Sequence, residues 1–268
     1  GCLNGSPKDD PDDTDRPPDA ASPDNICKKC SAGAFVGDSA KDGTQCDNNV
    51  CKECKNGQCS DKTEAASAFA AAGATISGPV AGSIALTGCT YGLTYPESVD
   101  LDIDARCEGG SFKAELTSLV GKYSEQVRLL PGQTEVTGIG GNTTQANYCA
   151  QVTELNSLGG RCPGVWYMKS AVQAHEDVHL TRFEPGIQQV AGTIEASVES
   201  LSVPSASGKT KAQAIAEIKA LAGFAAAKST AQQTWLNEIL VLVANDHSPG
   251  GPTDTAEHGV VDGIVAAI

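Results

Sequence analysis

Six of the chain's eleven cysteines fall between Cys27 and Cys59, and this crowding constrains the fold more than any other feature. A segment that short has too few large apolar side chains to hold itself together, so it needs covalent staples. Cys27-x-x-Cys30 and Cys51-x-x-Cys54 have the pair spacing of a zinc ribbon, with 20 residues between the pairs. Cys46 and Cys59 interleave with them, and exposed thiolates oxidise outside the cell, so a disulfide-rich module over 26–61 is expected. The other cysteines are Cys2, Cys89, Cys107, Cys149 and Cys162. Cys89 and Cys107 are expected to bridge neighbouring strands, and Cys149 and Cys162 to close a loop. The density as a whole implies an oxidising, extracytoplasmic compartment.

Ahead of this module, residues 1–25 carry seven Asp between Asp9 and Asp24 and Pro at 7, 11, 17, 18 and 23. They have little to bury and read as an extended acidic tether. Gly1-Cys2 resembles the end of a bacterial lipoprotein signal, which implies membrane attachment through a lipid on Cys2. The net charge of −14 excludes nucleic acid as the main partner.

Residues 62–268 are expected to form one α+β domain, an antiparallel or mixed sheet followed by a helical half. With aromatics at 4%, its core must rest on Ala, Val, Ile and Leu. Residues 62–75 read as a short Ala-rich helix or linker. Ser98–Cys107 alternates as a strand, with Val99, Leu101, Ile103 and Ala105 on one face and Asp100, Asp102 and Asp104 on the other. The Asp run is a solvated face, since a calcium loop needs a bend and a Gly at its sixth position. Ser111–Leu116 and Gln126–Thr137 suggest further strands, separated by turns at Gly109-Gly110 and Pro131-Gly132. Gln145–Leu155 suggests a helix. Helices then follow over Trp166–Phe183, ended by Pro185-Gly186, over Ile187–Leu201, over Lys209–Ala227 with a break at Gly223, over Thr230–Asp246 and over Thr255–Ile268. Trp235 is expected in the core.

The chemistry lies in His175-Glu176-Asp177-Val178-His179. On a helix, residues four apart share a face, so both imidazoles reach one Zn²⁺ at about 2.0–2.1 Å. Glu176 points beside the ion and can take a proton from a water that the ion activates. The chain has only four His, and two are here. The motif resembles the active helix of the zincin metallopeptidases, with their zincin-like fold, and implies hydrolysis of a peptide or protein substrate.

A catalytic zinc needs a third protein ligand. Metzincin spacing does not fit, because Pro185 stands at the ligand position and Arg182 at the Gly. A tight turn at Glu184–Gly186 would lay the next helix antiparallel and bring Glu195 opposite His175, with Glu199 one turn beyond. Glu195-Ala196-x-x-Glu199 resembles the thermolysin-like N-E-A-x-x-D segment, which implies Glu195 as ligand and Glu199 as the acid orienting His175. Glu257 and His258 are rivals for the third position. By the same resemblance, His258 is a catalytic candidate that donates a hydrogen bond to the oxyanion. His247, after Asp246, reads as a helix C-terminal cation. The competing class is a surface-anchored binding or structural protein whose metal site is structural or incidental.

Overall fold

A computed structural model describes residues 26–31, 34–70, 73–137, 148–155 and 164–267. The tether, Cys2, Cys162 and the side chain of Cys149 lie outside the described residues. The architecture is α+β, with small sheets, several helices and disulfides clustered towards the N-terminus. No helix among the described residues is long and apolar enough to cross a membrane.

Two compact units share the long elements. The first comprises Gly1–Phe69, Ile103–Thr117 and Glu195–Ala227, and the second Ala70–Asp102, Ser118–Ile194 and Lys228–Ile268.

In the first unit, β1 (Lys28–Ser31) and β2 (Ala34–Gly37) form a hairpin, and β3 (Gln45–Cys46), β4 (Asn49–Lys55) and β5 (Gln58–Asp61) a three-stranded sheet. Disulfides Cys27–Cys54 and Cys46–Cys59 staple these strands. Their sulfurs crowd together as disulfides, so a ribbon that needs Cys27 and Cys54 as thiolates is ruled out. Cys51 pairs with Cys107, which corrects the expected Cys89–Cys107 bridge, and Cys89 is disulfide-bonded elsewhere. Residues 62–70 are not helical. Their amides are taken from outside: Glu64 donates to the Cys107 carbonyl, Ser67 to the Glu115 carboxylate and Phe69 to the Glu195 carboxylate. Those bonds hold an Ala-rich segment extended despite its helix propensity.

After β6 (Thr75–Ser77) come β7 (Gly92–Glu108) and β8 (Ser111–Val127), each 17 residues long. Gly109 and Gly110 join them, both at positive φ (57° and 77°), as a two-residue turn with right-handed strand twist requires. The apolar face of β7 is buried as expected, and Asp100 and Asp102 are exposed. The buried apolar residues of β8 are Phe112, Ala114 and Leu116, then Leu119 and Tyr123 with Gly121 between them. This one-residue slip is why the alternation reads as ending at Leu116. In the second unit β6 lies parallel to β8, and β9 (Thr134–Glu135) parallel to β10 (Trp166–Tyr167). In the first unit β11 (Ser202–Pro204) pairs with the start of β8.

The helices are α1 (Tyr148–Leu155), α2 (Lys169–Glu199), α3 (Lys211–Ala220), α4 (Ala222–Asp246) and α5 (Pro252–Ala267). Two expected boundaries are corrected. The break between α3 and α4 falls at Leu221, not Gly223. α2 runs 31 residues straight through Pro185. Proline removes the N–H that would bond the Thr181 carbonyl and costs about 3 kcal/mol in a helix interior. Phe183, Ile187, Val190, Ala191, Ile194 and Val198, all at most 1% exposed, form one stripe across it, and their burial outweighs that cost.

Candidate metal centre

The centre lies wholly in the second unit, and glycine and tryptophan set its geometry. Trp235 of α4 is 1% exposed, donates its indole N–H to the Phe183 carbonyl (3.2 Å) and meets the Phe183 ring edge-on at 5.7 Å. A Cβ on Gly121 would stand 2.6 Å from its ring, and one on Gly186 3.0 Å from Ile239 Cδ1. Glycine at 121 lets β8 come this close to α4, and at 186 it spares Ile239 a small shift. Trp235 beside Gly186, Asp246 beside Arg182 and His247 beside His175 show that α4 runs antiparallel to α2. Its C-terminal end therefore arrives at the two motif histidines.

His175, His179 and His247 gather there, one ring nitrogen of each within 4.8 Å of the others. His175 Nε2 and His247 Nε2 are 3.1 Å apart. Two imidazoles on one tetrahedral zinc would place their nitrogens about 3.3 Å apart, from metal–nitrogen bonds of about 2.0–2.1 Å. Two of the rings are within hydrogen-bond distance of an oxygen through Nδ1, and the third, His179, faces one at longer range. His175 Nδ1 is 3.0 Å from Glu257 Oε1, His247 Nδ1 is 2.8 Å from the Val243 carbonyl, and His179 Nδ1 faces Asp246 Oδ2 at 3.8 Å. A carbonyl oxygen only accepts, so His247 carries its proton on Nδ1 and presents the lone pair of Nε2. This is the arrangement that orients imidazoles towards a metal.

Glu176, which follows His175 on α2, is 4% exposed and lies against the first residues of β7. A Cβ on Gly92 would collide with its Oε1, and Thr94 Oγ1 lies 3.5 Å from its backbone carbonyl. Its Oε2 is buried with no hydrogen-bond partner among the described residues. Burial pushes its pKa up, against the opposing Thr94 hydrogen bond and the charge of His175. Gln173, one turn before Asp177, donates to the carboxylates of Glu125 and Asp177, so the flank of the site is acidic.

Burial also disfavours a charged His175, but the hydrogen bond and charge of Glu257 prevail and its pKa is raised. At His179 burial comes first, then the charges of His175 and His247, and the pKa falls to about 4. In metal-free protein, imidazole NMR titration is expected to show His175 protonating above 6.5 and His179 resisting until about pH 4. The unfolded chain takes the His179 proton near 6.5, so stability from this group is complete above 6.5 and falls as pH drops towards 4, by about 3 kcal/mol. His175 acts in the opposite sense: its contribution is complete below 6.5 and fades as pH rises through its raised pKa. A His179 titration near 6.5 would contradict this electrostatic picture.

The expected third ligand is corrected. Without a turn at Pro185–Gly186, no fold-back carries Glu195 to His175; Glu195 accepts the Phe69 amide, and Glu199 is the last residue of the same helix. His258 is 40% exposed beside Asp254 (3.5 Å) and does not join the cluster. Its neighbour Glu257 does, backing His175. His247 does bond a C-terminal helix carbonyl, as its place after α4 suggests, but its other nitrogen points into the cluster. The sequence held one signal for it: the chain has only four His, so a third imidazole had to be His247 or His258. Searches of family models, curated proteins and solved structures find no match to the chain.

Proposed function

We propose that His175, His179 and His247 hold a Zn²⁺ and that the chain hydrolyses peptide bonds with Glu176 as general base. The observation that carries this reading is the convergence of three imidazoles, each facing an oxygen and two of them from an H-E-x-x-H helix whose Glu176 has a buried Oε2 with no hydrogen-bond partner among the described residues. A Zn²⁺ at this place supplies Lewis-acid polarisation of a carbonyl and a water of lowered pKa. Glu176 then accepts the proton of the attacking water and returns it to the leaving amine. The raised pKa suits a group that must both take and give a proton. On this reading the second unit is zincin-like, with a ligand just after α4, His247, in the place where gluzincins use a glutamate. The disulfides favour work outside the cytoplasm, as a secreted protein or one held by a lipid on Cys2.

One observation favours a second reading, a structural metal in a surface-displayed binding protein. Glu176 is 4% exposed and covered by Gly92, whereas a general base must reach its substrate. Metal analysis of purified protein tests the shared premise. About one zinc per chain is expected, and zinc-free protein that cannot be loaded with Zn²⁺ would overturn both readings.

A further inference from the structure

We propose that Asp246 is a positioning residue of this centre: its carboxylate, shared between Arg182 and His179, fixes the His179 ring and seats His247. The inference rests on the metal reading above. Asp246 is the last residue of α4, and its side chain is only 3% exposed. Arg182 grips both its oxygens, Nε to Oδ2 at 3.2 Å and a terminal nitrogen to Oδ1 at 2.8 Å. Arg182 stands three residues after His179 on α2, and the carboxylate that it binds also lies against the His179 ring. His179 Nδ1 is buried with no hydrogen-bond partner among the described residues, and Oδ2 faces it at 3.8 Å. A buried ring nitrogen without a partner is costly, and a carboxylate in front of it selects the Nδ1–H tautomer. That leaves the His179 Nε2 lone pair for the metal.

The backbone of Asp246 is held as firmly. Its carbonyl accepts the Thr253 hydroxyl at 2.7 Å, and Thr253 is 2% exposed. A Cβ on Gly251 would lie 2.7 Å from that same carbonyl oxygen and from the Ser248 carbonyl oxygen, so the corner between α4 and α5 closes tightly. One residue thus touches a ligand on α2 through its side chain and fixes the next ligand, His247, through its backbone.

The test compares D246N with R182Q, using Zn²⁺ affinity by chelator competition and ¹⁵N NMR of the imidazoles. D246N is expected to weaken Zn²⁺ about ten- to a hundredfold and to erase the Nδ1–H signature of His179. R182Q removes the ion pair but leaves Oδ2 before the ring, and is expected to change affinity by less than about threefold. Wild-type affinity in D246N, or an equal loss in R182Q, would overturn the proposal while leaving the metal reading intact. If D246N does not fold, the zinc-loaded wild-type spectrum decides: His179 protonated on Nε2 overturns it and on Nδ1 supports it. Wild-type protein that binds no zinc would instead overturn the metal reading, and the proposal with it.

Discussion

Replacing Glu176 with Gln leaves zinc bound and lowers turnover about a hundred- to ten-thousandfold, the range in which a positioned general base contributes. Gln keeps the volume that packs against Val172 and Gly92, so the fold and the three imidazoles stay in place. What it loses is the ability to take a proton. Burial disfavours the charged carboxylate, so the neutral amide is expected to leave thermal stability at pH 7 unchanged or higher. The measurement is cleavage of a peptide mixture, read by mass spectrometry, beside zinc content for wild type and E176Q. Zinc retained with undiminished turnover would remove Glu176 from the mechanism. A wild type that holds zinc and cleaves nothing would favour the structural-metal reading.

His247→Ala is expected to weaken Zn²⁺ by more than about a hundredfold, since loss of a direct ligand exceeds the ten- to hundredfold effect of losing an outer partner. Its ring is exposed, and its bonds are to the Val243 carbonyl and to His175, so the apo fold should survive. Zinc at a hundred times its dissociation constant stabilises the wild type by about 2.7 kcal/mol. The variant should lose that gain at the same zinc concentration while its metal-free melting temperature stays near the wild-type value. Chelator competition and a thermal melt check both. Unchanged affinity would exclude His247 as a ligand and reopen the third position.

The failed expectation for Glu195 and the unforeseen place of His247 share a cause. Pro185-Gly186 reads locally as a helix stop, and Glu195 follows from that reading. The stripe from Phe183 through Ile187 to Val198 crosses Pro185 without a change of phase, and was the competing signal. A proline penalty is a local quantity, whereas the burial that offsets it depends on packing. Gly186, read as part of the stop, instead lets α4 approach α2. At 62–70 the linker alternative holds over the helix for a like reason, since acceptors far along the chain take its amides.

By itself the sequence determined what depends on local spacing. Cysteine crowding implied a stapled N-terminal segment, and alternation placed the buried face of β7. Helical period put His175 and His179 on one face with Glu176 beside them, and Trp235 in the core. Tertiary structure alone decided which cysteines pair and that His247, 68 residues after His179, joins the cluster. The same holds for Asp246 and Glu257 standing behind the imidazoles. A ligand four residues away is fixed by the pitch of one helix. An imidazole at the end of another helix is placed by how closely two helices approach, and here that follows from Gly121, Gly186 and the indole of Trp235.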